Sequence, residues 1–204
     1  MSVYKYPLDL RFKLIALAPR IIVTDSTGQQ VAFVHQKTFK LKEDIRIYSD
    51  ESKTREIYRI GADKVLDISA KYHFTDSSNE QSLGYVQPKA LRSIWRTTYV
   101  VYDVNGKPLY HIKEDNPWVK IGDALLSEVP VLGLFTGYFL NPSYTAYRGD
   151  GDEDASTPIM HLTKQPAFFE SQFTLTQEAS ISPQEEMSLL LAILLMIQFQ
   201  RRRG

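Results

Sequence analysis

Cysteine is absent from the chain, which removes disulfides, thiolate metal sites and cysteine nucleophiles together. A surplus of either charge is absent too, because Lys plus Arg and Asp plus Glu number 24 each. A nucleic-acid binder held by phosphate contacts needs a basic excess, so that class is disfavoured. No apolar run reaches the roughly 20 residues of a membrane-spanning helix. Val129 to Leu140 is broken by Pro130 and two glycines, and Met187 to Phe199 by Ser188 and Gln198. The N-terminal region lacks the core of a signal peptide, since Leu14 to Ala18 is flanked by Lys13 and Pro19. A cytoplasmic protein is the expectation.

Catalytic signatures are missing as well. There is no Gly-x-Ser-x-Gly, no phosphate-cradling Gly-rich loop and no dinucleotide fingerprint. The four histidines, His35, His73, His111 and His161, sit far apart in the sequence, and solvent-facing strand positions account for them. A catalytic site gathered from scattered His and Asp finds no support, so no enzyme and no cofactor are expected.

What remains is the pattern of a single β-rich domain over residues 1–204. Apolar residues make up 43% and charged residues 24%, enough for a substantial core. Ile68, Ala70, Tyr72 and Phe74 alternate with polar neighbours, and Phe169 to Leu175 do likewise. Ile45 with Ile47, and Ile57 with Ile60, mark shorter strands. In all, about twelve strands are expected between residue 10 and about 176.

One similarity is internal. Ile22 to Gly28 followed by Val31 resembles Val100 to Gly106 followed by Leu109. Each is an apolar strand, an Asp, two turn residues, a Gly and a second strand. Asn105–Gly106 suggests a type I′ turn, with positive φ at both residues. A third hairpin is expected to turn at Gly61–Ala62–Asp63.

Two helices are predicted. Asn116 and Pro117 open a short amphipathic one over about 117–127, with Trp118, Ile121 and Leu125 on one face. The second, over about 183–200, starts at a capping box of Ser182 and Glu185 with Pro183 at its first position. Leu189 to Ile197 leave it no polar face, so it must be buried all round or lie in lipid. About 20 Å of apolar length is too short for a bilayer core and suits the axis of a barrel.

A set of strands ending in a wholly apolar helix resembles the tubby-like superfamily. Gly84–Tyr85–Val86, Lys89, Arg92–Ser93, Trp95–Arg96, Tyr99 to Asp103 and Asn105–Gly106 look like the middle of a bacterial LURP-one-related or scramblase-like sequence. The resemblance implies a closed antiparallel barrel of about twelve strands around an apolar C-terminal α-helix. With the helix filling the interior, no small-molecule cavity is expected there, and binding falls to the outer surface or the rims.

Basic candidates are Lys89, Arg92 and Arg96 around Trp95, and Lys37, Lys40 and Lys42 nearer the start. Cations beside an aromatic suit an anionic lipid surface, and tubby domains bind phosphoinositides through surface Lys and Arg. Solvated strand edges explain the same residues. The acidic run Asp150, Asp152, Glu153 and Asp154 invites a calcium reading, with Asp150, Asp152 and Asp154 as weak metal candidates. The calcium-loop pattern then needs Gly and Glu where Ala155 and His161 stand, so a solvated loop is the plainer account. The expected function is a non-enzymatic binding or scaffold module, peripheral on anionic phospholipid at the inner membrane surface. The alternatives are a scramblase-like membrane protein and a barrel that binds an unknown protein partner.

Overall fold

A computed structural model describes residues 2–13, 20–36, 44–64, 70–90, 97–115, 142–151, 157–166 and 171–203. Its strands are β1 (Leu8–Lys13), β2 (Arg20–Thr24), β3 (Gln30–Gln36), β4 (Asp44–Tyr48), β5 (Glu56–Ala62), β6 (Tyr72–Asp76), β7 (Gln81–Ala90), β8 (Thr97–Tyr102), β9 (Pro108–Glu114), β10 (Ser143–Arg148), β11 (Pro158–Gln165) and β12 (Gln172–Gln177), followed by helix α1 (Pro183–Arg203). Period-two alternation decides which side chains point inward. In β1, Leu8, Leu10 and Phe12 are buried while Asp9, Arg11 and Lys13 face out.

Every strand pairs antiparallel with its sequence neighbours, and β12 returns to β1 to close the barrel. Leu8 lies opposite Leu175 and Leu10 opposite Phe173 at the closing seam. Closure leaves none of the described strands an open edge for another chain to extend.

Helix α1 occupies the axis. Residues Leu189 to Ile197 are each at most 2% exposed, so the helix that is apolar all round is buried all round. Its start is the capping box: Ser182 donates its N–H and its hydroxyl to Glu185 Oε2, and the Glu185 N–H returns to Ser182 Oγ at 3.3 Å. No described helix is long and apolar enough to cross a membrane.

The up-and-down order gives the barrel two rims. At the near rim α1 begins, where Ser188 Oγ donates to Leu83 O at the start of β7. At the far rim α1 ends, where Phe199 packs edge-on to Tyr72 at the start of β6, 5.1 Å between centroids.

The two similar segments form matching turns. Asp25 N–H donates to Gln29 O and Gly28 N–H to Asp25 O; Asp103 N–H donates to Lys107 O and Gly106 N–H to Asp103 O. In each turn the Asp Oδ1 accepts two further N–H groups, from Thr27 and Gln29 or from Asn105 and Lys107. Both glycines have φ of 81°, while Asn105 is not in the left-handed region. The turn is therefore not the expected type I′. It is a type I turn closed by a left-handed glycine and a bulge, the three-residue hairpin, and the register shifts beside both turns agree.

Two further expectations need correction. Gly61 and Ala62 do not turn; both stay in β5, with Gly61 paired to Asp44 and to His73. The reversal starts at Asp63, whose carboxylate accepts the Lys71 N–H at 2.8 Å. Nor is every histidine solvent-facing, since His111 is 1% exposed. The predicted helix over 117–127 lies outside the described residues.

Candidate binding surface

Inward residues belong to the barrel core, so surface chemistry must come from the alternate set. On β7 that set includes Tyr85, Gln87 and Lys89, because Val86 between them points inward. The pairing register sets their neighbours. Tyr85 lies opposite His73 on β6 and Tyr102 on β8. Its ring stacks on Tyr102 at 4.7 Å, and the Lys71 ammonium stands over it at 4.8 Å from the centroid.

A second such unit lies across the wall. Tyr147 on β10 is opposite His111 on β9 and stacks on it at 5.4 Å. Lys113 Nζ stands 4.6 Å over the Tyr147 ring. Lys89 pairs with Thr98, one strand away from β9, so Lys89 and Lys113 share a row on the outer wall. Two strand spacings put their backbones about 10 Å apart. Both side chains are exposed. The wall thus carries three cations, two of them held against aromatic faces by an attraction worth about 0.5–1 kcal/mol at exposed sites.

His111 does not add to that charge. Its Nδ1 lies 3.2 Å from Gly149 O, and a Cβ at Gly151 would sit 3.3 Å from its ring. Burial under this loop holds its pKa below the usual imidazole value; Lys113 and Lys89 push the same way, while the Gly149 carbonyl and Asp150 oppose them.

A polar cluster bounds the wall beyond Lys113. Asp115 accepts hydrogen bonds from Ser143 Oγ at 2.6 Å and Thr145 Oγ1 at 2.7 Å. Thr145 Oγ1 also lies 2.9 Å from His161 Nδ1. The one threonine hydrogen points to Asp115, so His161 Nδ1 carries the proton it shares with Thr145.

The sequence-predicted residues divide as follows. Lys89 lies on the wall near the far rim. Lys37, Lys40, Lys42, Arg92, Trp95 and Arg96 lie outside the described residues, as do Asp152 and Asp154. The strands that residues 37–43 and 91–96 connect, β3 to β4 and β7 to β8, all end at the far rim. Asp150 is beside the His111 loop at the other end. Among the described residues no group of three or more His, Asp or Glu could hold a metal. Lys71, Lys113 and the tyrosines under them were missed by the sequence reading, since only strand pairing sets β6 to β10 in order on one wall.

Comparison with known proteins fits the threaded barrel. The profile of the LURP-one-related family matches residues 30–197, from β3 through the buried turns of α1. The chain belongs to the LURP-one-related family. That family is part of the tubby-like superfamily, and membership fits a binding or scaffold role. No curated protein and no solved structure matches the chain.

The topology of this LURP-one-related barrel also sorts its charges. Counted along the sequence, the segments joining strands at the far rim, with the end of α1, hold 11 basic and 7 acidic residues. The segments at the near rim, with the first turn of α1, hold 4 basic and 12 acidic.

Proposed function

We propose that this barrel is a non-enzymatic module that docks on anionic phospholipid, using the outer wall of β6–β10 and the far rim. The observation carrying the reading is the grouping of Lys71, Lys89 and Lys113 on one wall, beside Tyr85 and Tyr147. Near an anionic membrane each such cation contributes about 1 kcal/mol, and tyrosines suit the headgroup level. Arg92, Trp95, Arg96, Lys37, Lys40 and Lys42 belong to connections between strands that end at the same rim, and would add to the attraction. In this reading the protein works from the cytoplasmic side, at the inner membrane surface. Because α1 fills the barrel, a scramblase-like mode with that helix in lipid would require emptying the core, and it is not adopted.

Co-sedimentation with neutral and phosphoinositide-containing vesicles, at low and physiological salt, tests the reading. Binding to the anionic vesicles alone is expected, weakened by salt and by reversing Lys71, Lys89 and Lys113 together. Equal binding to both vesicle types, or none to either, would overturn it and leave a protein partner as the ligand to seek.

A further inference from the structure

The near rim holds a cavity of about 260 Å³ lined by Leu83, Asp103, Val104, Leu109, Ser182, Gln184, Glu185 and Ser188. Small-molecule sites run to roughly 300–1,000 Å³, so this one fits a single side chain or small head group. Leu83, Val104 and Leu109 give it apolar walls, and Val104 is 54% exposed where most large apolar groups are covered. The bulge at Gly84 shapes one side: its φ is +105°, and a Cβ there would lie 2.1 Å from Tyr102 O.

Its charge is negative. Asp103 and Glu185 both line it, and the described near-rim segments outside α1 hold seven acidic residues against four basic ones. A helix N-terminus by itself favours an anion, but here Glu185 already occupies the Ser182 N–H and hydroxyl. Among the described residues, Arg148 Nη1 at 3.8 Å is the cation beside Glu185 Oε1, and the Tyr110 hydroxyl also interacts with this carboxylate. On Asp103, the Asn105 and Lys107 N–H groups both meet Oδ1, and among the described residues no hydrogen-bond donor is seen at Oδ2.

We infer that this cavity receives an arginine or lysine side chain from an extended segment of a partner protein. The apolar stem packs on Leu83, Val104 and Leu109, and the cationic head lies between Asp103 and Glu185. The inference is independent of the phospholipid reading, because it concerns the opposite end of the barrel. If both hold, the protein bridges an anionic surface and a basic partner.

Methyl NMR of the full chain, titrated without vesicles with acetyl-Leu-Arg-Leu-amide, tests it. The same peptide with neutral citrulline, and spermidine as a free amine, are the comparison ligands. Saturable shifts of the Leu83, Val104 and Leu109 methyls by the arginine peptide are expected. Binding should weaken on the order of tenfold, about 1.4 kcal/mol, for citrulline and in the double variant Asp103→Asn, Glu185→Gln. Those replacements keep an oxygen for the Asx turn and the capping box, so an unchanged melting curve separates lost charge from lost fold. Equal binding of the citrulline peptide, an unaffected double variant, or no methyl shifts would each overturn the inference. Spermidine binding without peptide binding would overturn the protein source of the cation.

Discussion

Glu186 Oε2 accepts the backbone N–H of Val3 at 2.8 Å, joining the first turn of the core helix to the segment that precedes β1. Ser2 Oγ and Tyr4 N–H meet the other carboxylate oxygen at 2.7 and 3.3 Å, and the Tyr4 hydroxyl reaches Met187 Sδ. Glu186 is fully buried, and these N-terminal groups are the donors described for it. Deleting residues 2–6 leaves a charge in the rim without them. The expected cost is about 3–5 kcal/mol in urea unfolding, the scale of a buried charge that loses its partners. Glu186→Gln should cost less, because it removes the charge together with part of the acceptor. An unchanged urea midpoint in the deletion would show that the segment is only draped on the barrel.

The helix itself is the largest contributor to the core. Leu194 is 1% exposed and sits among inward strand residues, so Leu194→Ala should cost about 2–5 kcal/mol. Removing residues 183–204 takes the whole axis away and should abolish the cooperative thermal transition. A truncated chain that melts sharply with native-like strand signal would refute the threaded architecture.

Much of this was readable in advance, for reasons specific to each element. The capping box and the lack of any polar face on α1 are local properties, and together they allow only enclosure or lipid. Strand alternation at Tyr72–Phe74 and Phe173–Leu175 was equally plain. The turn at Gly106 was placed correctly but given the wrong geometry. Asn–Gly suits positive φ at both residues, yet the two N–H bonds to Asp103 Oδ1 favour a conformation in which only the glycine is left-handed. Gly61 misled because a glycine flanked by apolar residues resembles a turn, whereas pairing on both sides holds it in β5. Of the lysine wall only Lys89 was legible: Lys71, Lys89 and Lys113 share that wall through register, a property of strand pairs rather than of one strand.

Glycine substitutions should rank by what a Cβ would meet. At Gly28 nothing lies within 4 Å and only φ is strained, so Gly28→Ala should cost about 1–2 kcal/mol. At Gly84 the strain of φ combines with a Cβ driven into Tyr102 O, and Gly84→Ala should cost about 3 kcal/mol or more. Chemical denaturation of the two variants in parallel checks the order. Equal losses would mean that β7 yields freely at the bulge.

His111 gives a pH signature. Its folded pKa is lowered from 6.5, first by burial, so the unfolded chain takes up a proton at this residue before the folded one does. Stability from this group is fully present above about pH 6.5 and declines as the pH falls below it toward the folded value. The carboxylates whose pKa values are depressed, Asp25, Asp50 and Glu185, act only below about pH 4.5. Unfolding free energy measured between pH 7.5 and 5.5 should therefore fall with pH, and fall less in His111→Phe. Parallel pH profiles for the two proteins would assign the dependence elsewhere.

The closing seam joins β1 to β12, and the residues that fill the interior follow β12 in the chain. During synthesis the inward faces of eleven strands thus emerge before their last partner strand and before the helix that covers them. Contacts so distant in sequence make a slow folding reaction, and the waiting apolar faces are prone to associate with other chains. A chain cut short within β12 or α1 would leave those inward faces uncovered.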